Sequence, residues 1–249
     1  MNRHDMDAIH FLARNDLTIP LHHYIERWGQ CPIERCKIIV VLGGDGWMLK
    51  SLSRYAFLEK PFYGLKFGSV GHLMNAGITR DGLQSAIENA LAYTYFPFSV
   101  TALGSGSNVL SFLVFNDMCL YRQRYQALKL KIYIDETIIC PLLLGDGIVC
   151  SSLLGRSAYY HSAGGKFFDL PYILGLCALN TSAATPWKGA LLLAHQTLSV
   201  ELLSPESRPV LLGWDGQDKA LESRYTKIQI SAQSTERITL LKTGAPFIK

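Results

Sequence analysis

The sequence predicts an α/β N-terminal lobe on a Rossmann-like parallel sheet, followed by an all-β, sandwich-like C-terminal lobe. Three observations predict it. Apolar β-branched runs alternate with helical spacing over residues 1–95. From Phe96 the pattern changes to short alternating runs separated by turns. With 249 residues, 49% apolar and 18% charged, the chain is large enough to bury a core in each of two lobes and too apolar for disorder.

The first lobe opens with a strand over Ala8 to Ala13 and a helix over Ile19 to Trp28, where Pro20 fits the first turn. Lys37 to Leu42 is a run of the length and β-branched content of a buried strand. Gly43-Gly44-Asp45-Gly46 follows directly, and residues 48, 49, 52 and 55 then carry the apolar spacing of a helix. Pro61 to Lys66 reads as a third strand. Asp81 to Tyr93 reads as a helix started by Thr79 or Asp81.

The second lobe, 96–235, carries the runs Phe98 to Leu103, Val109 to Phe115, Leu128 to Ile134, Ile138 to Leu144 and Gly147 to Cys150. Later runs are Ala190 to Ala194, Thr197 to Leu202, Pro209 to Trp214 and Tyr225 to Ala232, and Arg237 to Leu241 lies beyond them in 236–249. A ligand is expected where the two lobes meet.

A strand, a glycine turn and a helix start direct unpaired backbone N–H groups at one spot, the arrangement that binds phosphate. A carboxylate inside such a turn opposes an anion, so Asp45 is expected to be a reacting group or a hydroxyl acceptor. The second landmark runs from Gly145-Asp146-Gly147 through Gly155-Arg156-Ser157-Ala158-Tyr159 to Ser162. It sets a turn aspartate, a short strand and small hydroxyl residues ahead of a helix. Small side chains admit a flat base, and Tyr159 offers a stacking face.

The net charge of +4, without a dense Lys/Arg stripe, points to anionic small molecules rather than nucleic acid. The six cysteines form no CxxC pair and sit mostly in apolar runs, as reduced buried thiols do in a cytoplasmic protein. The seven histidines show no metal-ligand spacing. No signal peptide opens the sequence and no apolar run reaches the ~18 residues of a membrane span, so a soluble protein is expected.

Five motifs in order resemble the NAD kinase family: Gly43 to Gly46; Gly68-Ser69-Val70-Gly71-His72-Leu73-Met74-Asn75; Asn116-Asp117; Gly145 to Tyr159; and Asp215-Gly216-Gln217. The resemblance implies phosphoryl transfer from ATP or polyphosphate to the 2′-hydroxyl of the adenosine ribose of NAD, with Asp45 as general base. It implies Gly43 and Gly44 beside phosphates, and Asp45, Gly46, Asn116, Asp117, Asp146, Ser157, Ala158, Tyr159 and Ser162 around NAD. Asn116 and Ala158 would meet the adenine, Asp117 the nicotinamide-side ribose, and Asp146 the nicotinamide end across a subunit contact. It further implies a homodimer or homotetramer, Mg²⁺ or another divalent cation arriving with ATP, and a segment 236–249 that returns to the first lobe.

The sequence departs from the family pattern at His72, Leu154, Arg156 and Ala183-Ala184, where relatives usually carry Phe, Thr, Ser and an Arg-Pro pair respectively. Those departures raise the alternative of a catalytically weak nucleotide-binding regulator. The GGDG turn also occurs in diacylglycerol-type lipid kinases, but Asn116-Asp117 and the Gly145 to Tyr159 stretch favour the dinucleotide.

Overall fold

The computed structural model of the chain describes residues 8–69 and 71–244. They form two compact units, one comprising the described residues up to Tyr95 together with those from Glu236 onward, the other Phe96–Thr235.

In the first unit, β1 (Ile9–Ala13), β2 (Ile38–Gly43), β3 (Phe62–Lys66), β4 (Leu91–Tyr95) and the last strand, β17 (Ile238–Lys242), make one sheet in the order β1-β2-β3-β17-β4. The first four strands across the sheet run parallel, and β4 closes the edge antiparallel to β17. Every residue of β2 is buried, as expected of a central parallel strand covered on both faces. The helix Thr18–Trp28 packs Tyr24 against this sheet, and the helix Asp45–Tyr55 buries Met48, Leu49 and Leu52. Ridges at that spacing form one apolar stripe.

One helix of the first unit differs from the sequence expectation. Asp81 to Tyr93 is not a continuous helix: a short helix spans Leu83–Glu88, and Leu91–Tyr95 is strand β4. Thr79 accepts a hydrogen bond from the Gly82 N–H (3.1 Å) and closes the turn that precedes the helix, whose N-cap position is Gly82 and neither Thr79 nor Asp81. It ends at Asn89 because Leu91-Ala92-Tyr93-Thr94-Tyr95, rich in β-favouring residues, gains a full antiparallel ladder with β17.

In the second unit two six-stranded antiparallel sheets share a core. The remaining strands are β5 (Phe98–Gly104), β6 (Val109–Val114), β7 (Asp117–Arg122), β8 (Leu128–Ile134), β9 (Thr137–Gly145), β10 (Gly147–Ser151), β11 (Leu174–Leu179), β12 (Gly189–Leu192), β13 (Thr197–Leu202), β14 (Val210–Trp214), β15 (Gln217–Leu221) and β16 (Tyr225–Ser231). One sheet has the order β12-β11-β10-β7-β14-β15, the other β6-β5-β16-β13-β8-β9. Val100, Leu120, Leu130, Ile148, Val200, Leu212 and Ile228, all with no exposed surface, fill the space they enclose.

This is the α/β lobe and sandwich-like β lobe that the alternation predicts. Three strands lie outside the predicted runs, β7, β11 and β15, along with β4. The helix expected after Gly155 is one turn long, Tyr159–Ser162. Among the described residues no helix is long and apolar enough to cross a membrane.

Candidate active site

Gly43 ends β2, and a Cβ there would stand 3.1 Å from Trp47 Cβ, a contact tighter than usual that would press Trp47 and the start of the next helix away from the strand end. Gly44 is different. Its φ of −127° and ψ of −175° are open to any residue, and an added Cβ at 44 or 46 would meet nothing within 4 Å. No forbidden backbone angle therefore requires glycine at 44; the two positions leave clear space over the helix start. Trp47 and Met48 N–H groups both donate to the Gly44 carbonyl (3.0 Å each). The N–H groups ahead of them have, by position, no intrahelical acceptor.

Asp45 does not cap its own helix. Its carboxylate reaches the segment after β3, where Oδ2 accepts the His72 N–H (2.7 Å) and Oδ1 accepts the Leu73 N–H (2.8 Å). Gly71 lies so close that a Cβ would stand 3.1 Å from Oδ1. Each carboxylate oxygen has two acceptor sites, so one on each oxygen remains for a hydroxyl.

The receiving segment is stitched to the sheet. Asn75 donates to the Gly64 and Leu241 carbonyls (3.0 and 3.1 Å) and accepts the Thr243 N–H (3.0 Å). Lys242 Nζ donates to the His72 carbonyl (3.0 Å). Lys242 is 4% exposed, and burial draws its pKa down to about 7 against the opposing pull of the Asp45 charge.

In the second unit, Asn116 and Asp117 sit at the start of β7. Asp215, in the turn between β14 and β15, accepts the Phe115 and Asn116 N–H groups (2.8 and 2.7 Å) and fixes that backbone. On the other side the Asn116 carbonyl accepts the Ser152 N–H (3.0 Å). Gly155 packs against it so closely that a Cβ would stand 2.4 Å from the carbonyl oxygen. The Asn116 amide donates to Asp117 Oδ2 (3.3 Å). Burial raises the Asp117 pKa to about 6 and that of Asp215 to about 7, partly opposed by the N–H groups they accept.

Asp117, Cys119 and Tyr121 alternate onto one face of β7. Burial raises the Tyr159 hydroxyl pKa, and the nearby Cys119, Tyr121, Asp146 and Asp117 raise it further, so Tyr159 and Asp146 share that neighbourhood. Asp146 is held within the chain, with Oδ1 2.5 Å from Arg122 Nε and Oδ2 accepting from Asn180 Nδ2 (2.8 Å). Ser162 Oγ donates to the Ala158 carbonyl (3.4 Å), and Ser157 is exposed. Arg156, one of the departures from the family pattern, pairs with Asp169 (2.9 Å) and lies over the Phe167 ring.

No protein-family model matches the chain. Curated relatives do match. The NAD kinase of Mesorhizobium japonicum is 33% identical over 228 residues, covering 91% of this chain and 87% of the relative. That of Xylella fastidiosa is 32% identical over 216 residues, covering 86% and 82%. The chain belongs to the NAD kinase family. NAD kinases are phosphotransferases, and the relative from Brucella suis extends the match to 94% of this chain at 33% identity. In fold, the chain resembles yeast NADH kinase crystallised with NADH (TM-score 0.76, 15% identity, 95% of this chain and 83% of that one). It also resembles an NAD kinase from Archaeoglobus fulgidus in complex with ATP (TM-score 0.72, 19% identity, 94% and 93%).

In this NAD kinase relative, Gly43, Gly44, Asp45 and Gly46 occupy one turn of the first unit. In the second, Asn116 and Asp117 stand at the start of β7, Asp146 pairs with Arg122 at the other end of that strand, Tyr159 lies near the face that carries Asp117, Cys119 and Tyr121, and Ala158 and Ser162 share the helical turn of Tyr159. Two residues with clear geometry have no role assigned by the sequence. Asp215 belongs to the fifth motif, but nothing local tells what it binds. Lys242 lies outside all five motifs, although period-2 alternation through Ile238, Leu240 and Lys242 places it on the inward face, where a lysine is an anomaly.

Proposed function

We propose that the chain phosphorylates the 2′-hydroxyl of the adenosine ribose of NAD, using ATP or polyphosphate, with Asp45 as general base. One observation carries the reading. The Asp45 carboxylate is fixed by two backbone N–H groups at a helix start and keeps acceptor capacity for a hydroxyl. Phosphoryl transfer through a loose transition state depends on alignment more than on covalent chemistry. Gly43, Gly44 and Gly46 then flank phosphates, Asn116 and Ala158 meet the adenine, and Asp117 meets the second ribose. Ser157, Tyr159 and Ser162 line the NAD site, and Asp146 serves the nicotinamide end.

A divalent cation such as Mg²⁺ enters on the donor phosphates and keeps several of its waters. Assembly as a homodimer or homotetramer in the cytoplasm belongs to the same reading.

Incubating purified protein with ATP, Mg²⁺ and NAD is expected to yield NADP. Detectable NAD binding without product would replace this reading with that of a nucleotide-binding regulator. Because Gly44 sits in an ordinary extended conformation with open space beyond it, Gly44→Val is expected to melt close to the parent temperature. Calorimetry should nonetheless show clearly weaker nucleotide affinity, and unchanged affinity would make the turn purely structural.

A further inference from the structure

Lys242 ends β17 on the inward side of a strand whose other inward residues, Ile238 and Leu240, are buried hydrocarbons. A leucine or methionine would complete that pattern, whereas a lysine places an ammonium where water is almost absent, a costly arrangement unless the charge is used. Its contact is specific. Nζ donates to the His72 carbonyl at 3.0 Å, and that carbonyl belongs to the same peptide unit as the Leu73 N–H, which donates to Asp45 Oδ1 at 2.8 Å. One peptide plane therefore lies between a cation and a carboxylate, oxygen towards the first and N–H towards the second.

We propose that Lys242 is a positioning residue for Asp45, its ammonium holding the His72–Leu73 peptide so that the N–H stays aimed at the carboxylate. The inference rests on Asp45 as the base of the proposed reaction. Charges of opposite sign at the two ends polarise the peptide in one sense, so each hydrogen bond strengthens the other. Neighbouring stitches leave this peptide little other freedom: Asn75 binds the backbone of β3 and β17, and Thr243 Oγ1, next to Lys242, donates to the Ala86 carbonyl (2.9 Å). With both carboxylate oxygens held this way, their remaining lone pairs face a fixed direction. Burial draws the Lys242 pKa down to about 7, and the Asp45 charge pulls it the other way.

The test compares the parent protein with Lys242→Met and Lys242→Gln. Lys242→Met is expected to lower kcat for NADP formation by about 10- to 100-fold, the loss of one hydrogen bond from a charged group. KM for NAD should change far less than kcat. Hydrogen exchange at the Leu73 amide should accelerate, because the His72–Leu73 peptide loses the donor that holds its carbonyl. Lys242→Gln keeps an N–H donor without the charge. It should recover part of the Leu73 protection and lie between the other two in kcat, and it decides the question by itself if the methionine variant does not fold. Parent-like kcat in both variants, or unchanged exchange at Leu73, overturns the inference alone. A parent protein that makes no NADP overturns the reaction on which it rests.

Discussion

Asp45→Asn is expected to lower kcat for NADP formation by about 10² to 10⁴-fold, the usual contribution of a positioned general base. NAD should still bind. The amide keeps the shape of the carboxylate and one acceptor oxygen but has little affinity for the hydroxyl proton. The geometry adds a second consequence. Asp45 accepts one backbone N–H on each oxygen, so an NH₂ in place of either oxygen confronts a donor with a donor. One bond to His72 or Leu73 is lost, and the variant should be less stable by about 1–3 kcal/mol. Three measurements separate these effects: kcat for turnover, calorimetry for NAD, and thermal melting for the clamp. A variant with parent-like kcat would remove Asp45 from the chemistry, whatever its Tm. A variant with lost NAD affinity and parent-like kcat at saturation would make it a binding residue.

Much of the frame is legible because buried strands and amphipathic helices write their periods into the sequence. Lys37 to Leu42 announces the central strand, and the spacing of Met48, Leu49 and Leu52 announces the helix after it. The strands that the sequence hides are those whose pattern is set by neighbours. Strand β7 begins with a charged residue and carries Cys119 and Tyr121 on a face covered by the Leu153 and Tyr160 region, so neither alternation nor a continuous apolar run appears. Strand β15, Gln217–Leu221, is exposed at all positions but its last and exists as the hairpin partner of β14. Leu91–Tyr95 carries a pattern compatible with helix or strand, and pairing with β17, from the far end of the chain, decides it. The candidate site divides the same way. Its glycine turns and the Asn116-Asp117 pair are local and readable, whereas the groups that hold them come from distant segments, Asp215 for Asn116 and Lys242 for the Asp45 loop.

Asp215→Ala is expected to be the most damaging single change in the second unit. Asp215 is 1% exposed, and its two oxygens take the N–H groups of Phe115 and Asn116. Removing them leaves two buried donors unsatisfied, at about 1–3 kcal/mol each. It also sets alanine at a φ of 47° that aspartate tolerates better. NAD affinity should fall with stability, because the backbone so fixed carries the Asn116 and Asp117 side chains. Asp215→Asn, which keeps one acceptor and the turn geometry, should lie between parent and alanine.

The pH dependence identifies the group responsible. Burial raises the folded-state pKa of Asp215 to about 7, whereas an unfolded aspartate titrates near about 3.9. The folded protein thus keeps a proton that the unfolded chain releases, so the stabilisation this carboxyl provides is complete below about pH 4 and is lost as pH rises through about 7. The gap in Tm between parent and Asp215→Ala should accordingly be widest near about pH 4 and narrow as the medium turns alkaline. Asp117, also raised by burial, is present in both proteins and titrates in both. A gap that widens with pH instead would mean that Asp215 acts as a carboxylate paired with the two N–H groups throughout, with its burial more than offset by them.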